Sequence, residues 1–392
     1  MASKREGGWL MRSYETRFAA MFGDSYHAFA FWKARVALYA ILKALDFKEG
    51  DEVLLPGYTC VVVPNAVRYA GAKPVYADIT SGHYNLEPNS VAERITPRTR
   101  GLIIQHTYGM PADCESLPAI ARRYQLHIIE DCAHVLVGAS YRTKLLGSFG
   151  RAAFFSFQWS KPYTTGLGGM VVTQDKELAG RLEEIQETFR EPPLHQRLQL
   201  QVQYSLYRTF FGPRAYWFCQ QSLNLLSKYG MFVGSSSSAE LTGAIPSDLC
   251  WRMSEFQGRT GLGEIEKTEV NAIHRRRLTK YYSEALRRHK WPANNHLESD
   301  EITLLRYPLQ VMNKANILEQ ARHMRIELGS WFETPLHPLP LDYHCRVAYQ
   351  LGTCPVAEAT AAKVINLPLH ERVTQAEAER IINFILLQAS PA

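Results

Sequence analysis

The chain has 392 residues, of which 46% are hydrophobic and 21% are charged, and this composition predicts a globular protein with a large core or two domains. No stretch of about 18 uncharged apolar residues occurs, and the N-terminus has no apolar core of signal-peptide length, so we expect a cytoplasmic protein. The seven cysteines are scattered without a CxxC pair, which argues against a disulfide framework and against a bound metal. The net charge of +6 suits anionic substrates, and no basic run accompanies it that would favour nucleic acid.

Residues 1–30 are mixed in character and are predicted to form an N-terminal arm. A large domain follows over residues 31–250, in which a helical pattern from Ala34 to Leu45 precedes alternating short strands and helices. The predicted strands are Glu52–Leu55, Lys73–Ala77, Gly101–Gln105, His127–Glu130, Ala152–Phe157 and Met170–Val172, and the predicted helices between them are Val61–Tyr69 and Leu117–Tyr124. Such alternation predicts an α/β fold with a mostly parallel sheet, helices on both faces and ligands at the carboxyl ends of the strands.

A segment at about 187–238 interrupts this alternation and is rich in Arg, Tyr, Phe and Trp, most densely from Tyr204 to Trp217. One interpretation is a lid, or a surface that touches a membrane or a lipid-linked substrate. The alternative, which we favour, is a pair of helices packed on the body of the protein or on a second subunit, because aromatic residues and arginine are enriched at protein interfaces.

Residues 251–392 are predicted to form a smaller α+β domain. It begins with a charged helix from about Ser254 to Leu286 and ends with an amphipathic helix from Gln375 to Leu387. The sequence from about Glu301 up to that last helix again alternates short apolar runs with helical ones.

Two polar residues follow apolar strands of the large domain and indicate one kind of chemistry. Lys161 comes after Ala152–Phe157 and before a glycine-rich loop, in which the backbone can approach a ligand closely. Asp131 ends the apolar run that begins near His127. Pyridoxal phosphate requires a lysine that can form a Schiff base and a carboxylate that keeps the pyridine nitrogen protonated. The two residues together therefore predict a site for this cofactor.

Other positions could contact such a cofactor, and each also has an ordinary structural interpretation. Ser156 lies in the strand before the lysine and could donate a hydrogen bond to a phosphate, or be an ordinary polar residue. Ala34 and Arg35 begin a predicted helix, whose free N–H groups and dipole favour an anion, although many helices begin with basic residues. In the same way, Asp131 could be a helix N-cap and His134 a structural histidine.

Several motifs in a fixed order resemble those of a known family. The sequences Gly50–Thr59, Tyr69–Asp78, Tyr108–Asp113 and Asn366–His370, together with the segments around the lysine and the aspartate, resemble the DegT/DnrJ/StrS family of pyridoxal-phosphate-dependent sugar aminotransferases. The resemblance covers the chain after the N-terminal arm and is interrupted by the 187–238 segment. It implies a type I, aspartate-aminotransferase-like fold and a homodimer with active sites at the subunit interface.

The resemblance also implies roles for the residues around the cofactor ring. Lys161 would bind the cofactor covalently, and Asp131 would pair with its pyridine nitrogen. His134 occupies the position of a Gln or His that contacts the ring oxygen. Two positions depart from the family pattern, since Cys60 replaces an aromatic residue that usually stacks on the ring and Leu167 replaces a usual Glu.

At the phosphate, the resemblance implies contacts from Ser156 and from the backbone N–H groups of Ala34 and Arg35. An Asn that commonly reaches the phosphate from the neighbouring subunit is replaced by Cys250 or displaced. The guanidinium of Arg35 could compensate for this loss, because its fork of donors suits phosphate.

The function implied by the resemblance is that of an aminotransferase with pyridoxal phosphate as cofactor, which moves an amino group to a keto-sugar with glutamate as the expected donor. The acceptor would be a nucleotide-linked keto-deoxysugar or a keto-sugar acid in the biosynthesis of a surface polysaccharide or lipopolysaccharide. Two alternatives stay open. Sugar dehydratases of the family carry histidine in place of the lysine, and Lys161 argues against that activity. A cofactor-binding regulatory or scaffolding protein with degenerate catalysis is conceivable because Cys60 and Leu167 depart from the family pattern.

Overall fold

A seven-stranded sheet forms the centre of the protein in the computed structural model, which describes residues 2–210, 234, 238–292, 297 and 301–392. The strands are β1 His27–Phe31, β2 Glu52–Pro56, β3 Thr59–Cys60, β4 Lys73–Ala77, β5 Thr99–Gln105, β6 His127–Asp131, β7 Ser140–Tyr141, β8 Lys144–Leu145, β9 Ala152–Ser156, β10 Gly169–Thr173, β11 Arg306–Gln310, β12 Leu336–His337 and β13 Val364–Pro368. The central sheet has the order β1-β10-β9-β6-β5-β2-β4. Strands β4, β2, β5, β6 and β9 run parallel, and β10 is antiparallel to both of its neighbours. The predicted mostly parallel sheet is confirmed.

Helices connect these strands and cover the sheet. They are α1 Ala2–Ala20, α2 Ala34–Ala44, α3 Val62–Tyr69, α4 Pro88–Arg94, α5 Ser116–Arg123, α6 Lys176–Thr188, α7 Leu194–Phe210, α8 Ser238–Thr242, α9 Glu255–Ile265, α10 Thr268–Arg288, α11 Lys314–His323, α12 Pro355–Lys363 and α13 Gln375–Gln388, with short 3₁₀ turns at Thr107–Gly109 and Leu341–Val347. Helix α2 packs on β9 and β10 and is buried along most of its length. Its N-terminus therefore meets the end of the sheet where β9 finishes.

Hydrophobic residues pack on both faces of the central sheet. In β9, Phe154 belongs to the core that includes α2, whereas Phe155 belongs to a second core with Tyr14 and Phe18 of α1. Successive side chains of a strand point to opposite faces, so these two phenylalanines show that helices cover the sheet on both sides. A strand buried on both faces also explains the uninterrupted apolar sequence of β9.

Residues 1–30, which the sequence analysis interprets as an arm, form α1 and most of β1. Helix α1 lies against the body of the protein, and the hydroxyl of its Tyr14 is hydrogen-bonded to that of Tyr163 at 2.9 Å. Strand β1 is the edge strand of the central sheet and pairs with β10. Residues 27–30 thus lie in the sheet, while the division into an arm, a large domain and a small domain stays a prediction.

The C-terminal part contains the antiparallel pair β11 and β13, and helix α11 packs on β13. The single helix predicted from about 254 to 286 is wrong, because the chain forms α9 and α10 with a break at residues 266–267. Helix α9 packs on α1, where Gly258 and Gly261 lie against Tyr14. Helix α10 packs on α13 instead. Since each helix has a different partner, one continuous helix does not form.

The predicted 187–238 insertion is described in part. Helix α7 buries Leu200 against the body and exposes Leu198. Among the described residues, no helix is both long and apolar enough to cross a membrane. Residues 211–233 and 235–237, which hold much of the aromatic sequence, lie outside the described residues, so the packing of the insertion on a second subunit stays a prediction.

Candidate active site

One cavity of about 330 Å³ lies at the carboxyl ends of β6 and β9 and at the N-terminus of α2. Small-molecule sites typically have roughly 300–1,000 Å³. Every site residue that the sequence predicts lines this cavity: Ala34, Arg35, Cys60, Asp131, His134, Ser156 and Lys161. Asp131 and Ser156 meet here because the carboxyl ends of the parallel strands β6 and β9 lie at one edge of the sheet.

Asp131, the last residue of β6, points a buried carboxyl group into the cavity. Its Oδ1 accepts a hydrogen bond from the backbone N–H of Ala133 at 2.9 Å. Burial raises the pKa of this carboxyl to about 6, although that hydrogen bond and the nearby Lys161 favour the ionised form. Within the described chain no protein donor bonds Oδ2, so this oxygen is available to a ligand.

Lys161 lies in the loop between β9 and β10 and is also buried. Backbone hydrogen bonds from Phe157 to Gly168 at 2.9 Å and from Thr165 to Phe157 at 3.0 Å hold this loop. Burial lowers the pKa of the Lys161 amine to about 8, while Asp131 acts in the opposite direction. An amine with such a pKa can act as a nucleophile or a base near neutral pH.

His134 faces the same cavity as a neutral ring. Its Nδ1 accepts a hydrogen bond from the backbone N–H of Tyr108 at 3.1 Å, which places the ring proton on Nε2. Burial lowers the pKa of His134 well below its usual value, and the charge of Lys161 lowers it further. The ring lies nearly parallel to that of Trp331, with 5.5 Å between centroids and 19° between planes. His134 can therefore donate a hydrogen bond to a ligand in the cavity.

The N-terminus of α2 provides backbone N–H donors at the cavity, where Ala34 and Arg35 are part of the lining. Its N-cap residue, Lys33, makes no side-chain cap hydrogen bond. A Cβ at Gly169 would lie 2.6 Å from the nitrogen of Ala34, so a glycine is needed for this close approach of β10 and α2. Free N–H groups at a helix N-terminus bind phosphate well. Ser156, the last residue of β9, adds a hydroxyl to the cavity lining.

Two cations beside this helix end have carboxylate partners. Arg35 forms an ion pair with Glu240, and Lys33 forms one with Asp248 at 2.6 Å. Burial lowers the pKa of both cations. The structure thus directs the guanidinium of Arg35, which the sequence suggests as an additional phosphate ligand, towards Glu240.

Cys60 ends β3 and lines the cavity where the resemblance implies an aromatic side chain. Burial raises the pKa of its thiol, so the thiol is protonated at neutral pH. Strand β3 pairs in parallel with β12, with Thr59 opposite Leu336. This pairing brings His337 and the preceding Trp331 into the wall of the cavity.

The wall from the C-terminal part is the element of the site that the sequence analysis missed, and it consists of Trp331, Phe332, His337 and Pro338. Nζ of Lys161 lies 4.6 Å from the ring centroid of Trp331. Burial lowers the pKa of His337 to about 4, so its ring is neutral. The sequence signal that could have revealed this wall is the adjacent Trp331 and Phe332, which lie in a segment without strong periodicity. Such large rings rarely lie in a loop without a packing partner.

A buried cluster next to the aspartate, made of His106, Glu130 and Cys132, brings three possible metal-ligand atoms within 4.8 Å of one another. The oxygens of Glu130 already accept three backbone N–H groups of residues 147–150, at 2.6 to 2.9 Å. They also accept Nε2 of His106 at 3.0 Å. These hydrogen bonds account for the cluster, which holds the loop before β9 against the end of β6.

The match to a family model covers most of the chain. The model of the DegT/DnrJ/EryC1/StrS aminotransferase family matches residues 3–205 and 219–386, and the chain belongs to this family. GDP-perosamine synthase of Caulobacter vibrioides is 28% identical over 386 residues, which span 96% of this chain and 89% of that protein. UDP-N-acetyl-3-dehydro-alpha-D-glucosamine 3-aminotransferase of Acidithiobacillus ferrooxidans is 27% identical over 381 residues, with 95% and 87% covered.

Solved structures share the same fold. An aminotransferase from Psychrobacter cryohalolentis superposes with a TM-score of 0.75 at 22% identity, covering 96% of this chain and 90% of that one. DesV of S. venezuelae superposes with a TM-score of 0.73 at 26% identity, with 98% and 90% covered. The family, the type I fold and the aminotransferase class predicted from the sequence are confirmed.

Proposed function

We propose that the protein uses pyridoxal phosphate in this cavity to move an amino group from an amino acid to a keto-sugar. The observation that carries the proposal is a buried pair in one cavity, in which the pKa of Lys161 is lowered to about 8 and that of Asp131 is raised to about 6. Groups whose surroundings change their pKa in this way are typical of acid–base sites. The membership of the chain in an aminotransferase family supports the same reaction.

The residues of the cavity fit this cofactor. The free Oδ2 of Asp131 would hold the proton on the pyridine nitrogen. The backbone N–H groups of Ala34 and Arg35 at the uncapped helix end, together with the hydroxyl of Ser156, would bind the phosphate. Nε2 of His134 would donate to the ring oxygen. When bound, pyridoxal phosphate supplies an electron sink for negative charge at the α carbon of the amino acid.

Lys161 is the residue that moves protons. Its amine, with a pKa of about 8, is able to take the α proton of the amino donor at Nζ and to return a proton at the former ketone carbon of the sugar. The indole of Trp331 lies against Nζ and excludes water from one side of it. Exclusion of water keeps the amine neutral for a larger part of the time and strengthens its electrostatic contacts with the substrate.

We expect glutamate as the donor and a nucleotide-linked keto-sugar, or a keto-sugar acid, as the acceptor in polysaccharide or lipopolysaccharide biosynthesis. The two relatives described above are named for nucleotide-linked amino sugars, which supports a nucleotide-linked acceptor. The net charge of +6 suits such an anionic substrate.

The expected homodimer has support from helix α7. Its outward side chains at four-residue spacing are largely exposed, although they are apolar: Leu194, Leu198, Val202 and Leu206, at 61%, 52%, 59% and 50%. Four apolar residues on one side of a helix are typical of a surface that packs on another chain. We therefore assign this side of α7 to contact with a second copy of the protein.

The two alternative functions are less well supported. The lysine position of the cavity holds Lys161 and not the histidine of the dehydratases. A regulatory protein with degenerate catalysis would not need the buried pair of Lys161 and Asp131, which costs folding free energy because both groups are removed from water. Retention of this pair favours an enzyme.

The test is covalent trapping of the cofactor. The protein is saturated with pyridoxal phosphate, reduced with borohydride and mapped by mass spectrometry, and we expect the label on Lys161 and none in the Lys161→Ala variant. Lys314 is an internal control, since its pKa is also lowered to about 8 by burial but it does not line the cavity. A label on Lys314, or no label, would overturn the proposal. A screen of keto-sugars against the aminated form of the holoenzyme then identifies the acceptor.

A further inference from the structure

Arg306, the first residue of β11, lies beside the wall of the active-site cavity. Its Cζ is 4.8 Å from the ring centroid of Trp331, and Nζ of Lys161 is 4.6 Å from the same centroid. Trp331 itself lines the cavity. Arg306 and the lysine therefore lie against one indole ring, and the guanidinium is near the place where the amino group is transferred.

The guanidinium N–H groups of Arg306 make no hydrogen bond within the described part of the chain. Arg306 is partly exposed, and its contact in the described chain is with the indole ring rather than with a carboxylate or a carbonyl oxygen. In contrast, the cations Lys33 and Arg35 of the cavity are paired with Asp248 and Glu240. A guanidinium carries five N–H donors in a planar fork that matches a carboxylate. Arg306 is thus equipped to bind an anionic group of a ligand.

The surroundings of Arg306 carry positive charge. Burial is the main cause of the lowered pKa of Lys161 and His134, and the charge of Arg306 lowers both further. Glu327 is an acidic residue close enough to interact with Arg306, but its two oxygens are each 3.1 Å from Nε2 of His370. A carboxylate bound between Arg306 and the lysine would offset this excess of positive charge.

The backbone holds Arg306 and Trp331 in place before any ligand arrives. Strand β11 pairs with β13 so that Arg306 lies opposite Pro368, and the N–H of Trp331 donates to Oδ1 of Asn366 at 2.9 Å. A Cβ at Gly329 would lie 2.5 Å from Nη1 of Arg306, so a larger residue there would displace the guanidinium from this position.

We infer that Arg306 binds the α-carboxylate of the amino donor and so holds the α carbon of that donor beside Nζ of Lys161. The inference rests on the proposed function. The α-carboxylate is favoured over a side-chain carboxylate because it is attached to the carbon whose proton the lysine removes, and Arg306 lies against the same indole as the lysine. Arg306 would thus be a specificity-determining residue for amino-acid donors.

The test compares Arg306→Gln and Arg306→Lys with a matched control, Arg346→Gln. Arg346 also lies over an aromatic ring, that of Tyr343 at 4.0 Å, but it is exposed, and Tyr343 does not line the cavity as Trp331 does. For each holoenzyme, the absorbance change of the bound cofactor is titrated with L-glutamate and, separately, with L-glutamine. Arg306→Gln should raise the half-saturating concentration of both donors by roughly 10- to 100-fold, because a charge-assisted pair is lost. Arg306→Lys should recover part of this loss, and Arg346→Gln should match the wild type.

A second variant covers the case in which Arg306→Gln fails to fold. Gly329→Ala keeps the arginine but displaces its guanidinium, so it should also weaken the binding of both donors. If the half-saturating concentrations of both donors rose by less than about threefold in these variants, while borohydride still labelled Lys161, the inference would be overturned and the proposed function would stay intact. A higher half-saturating concentration for glutamate alone would overturn the assignment to the α-carboxylate, because both donors carry that group. A wild-type protein that labels no lysine would refute the proposed function itself.

Discussion

Replacing Asp131 by Asn should lower turnover by about 100-fold or more and leave the fold intact. Asp131 is 4% exposed, and within the described chain its Oδ2 has no protein donor, so its charge acts on the ligand in the cavity. A neutral amide cannot hold a pyridine nitrogen protonated. Removing one electrostatic partner from such a water-excluded site typically costs about 2.7–4 kcal/mol of barrier. The fold should persist, because Oδ1 of the amide can accept the same N–H of Ala133.

The assay measures kcat of the wild type and of Asp131→Asn, with cofactor content and Tm determined on the same samples. Asp113→Asn is the matched control. Oδ1 of Asp113 also accepts backbone N–H groups of residues that follow it, from Glu115 at 3.0 Å and from Ser116 at 2.7 Å, but it lies outside the cavity. This control should retain full turnover. If Asp131→Asn kept kcat within about threefold of the wild type, less than 1 kcal/mol of barrier, the carboxylate would be a structural group only.

Three further predictions concern pH, an ion pair and the outer side of α7. Burial raises the pKa of Asp131 from 3.8 to about 6, so the folded apoprotein holds this proton more tightly than the unfolded chain, and its folding stability decreases as pH rises through that range. The Tm of the wild type relative to Asp131→Asn should therefore fall from pH 4 to pH 6, and a rise would contradict this. Glu240→Gln should cost about 3 kcal/mol of unfolding free energy in urea, because it breaks the buried ion pair between Glu240 and Arg35. A loss below about 0.5 kcal/mol would refute this reason. Leu198→Asp combined with Leu206→Asp should yield a monomer in light scattering, whereas a dimer would exclude α7 from the interface.

Short apolar runs between turn residues were enough to predict most strands of the central sheet. Lys73–Ala77 is predicted and observed with the same ends, since a buried parallel strand has a local pattern. Strand β1, His27–Phe31, was not predicted, because its place at the edge of the sheet depends on pairing with β10, far along the chain. The break at residues 266–267 was missed for the same reason, since α9 and α10 are separated by the partners on which they pack.

The sequence by itself determined the chemistry of the site. Asp131 ends one apolar strand and Lys161 follows another, and parallel strands bring their carboxyl ends together, so a local pattern was sufficient to place both in one cavity. Only the tertiary structure decided that Lys161 and Arg306 both lie against the ring of Trp331, because the parallel pairing of β3 with β12 and the hydrogen bond to Asn366 join segments that are distant in sequence. The pKa values of the site were likewise decided by tertiary structure. They follow from burial, which is a property of the packed protein and not of any one segment.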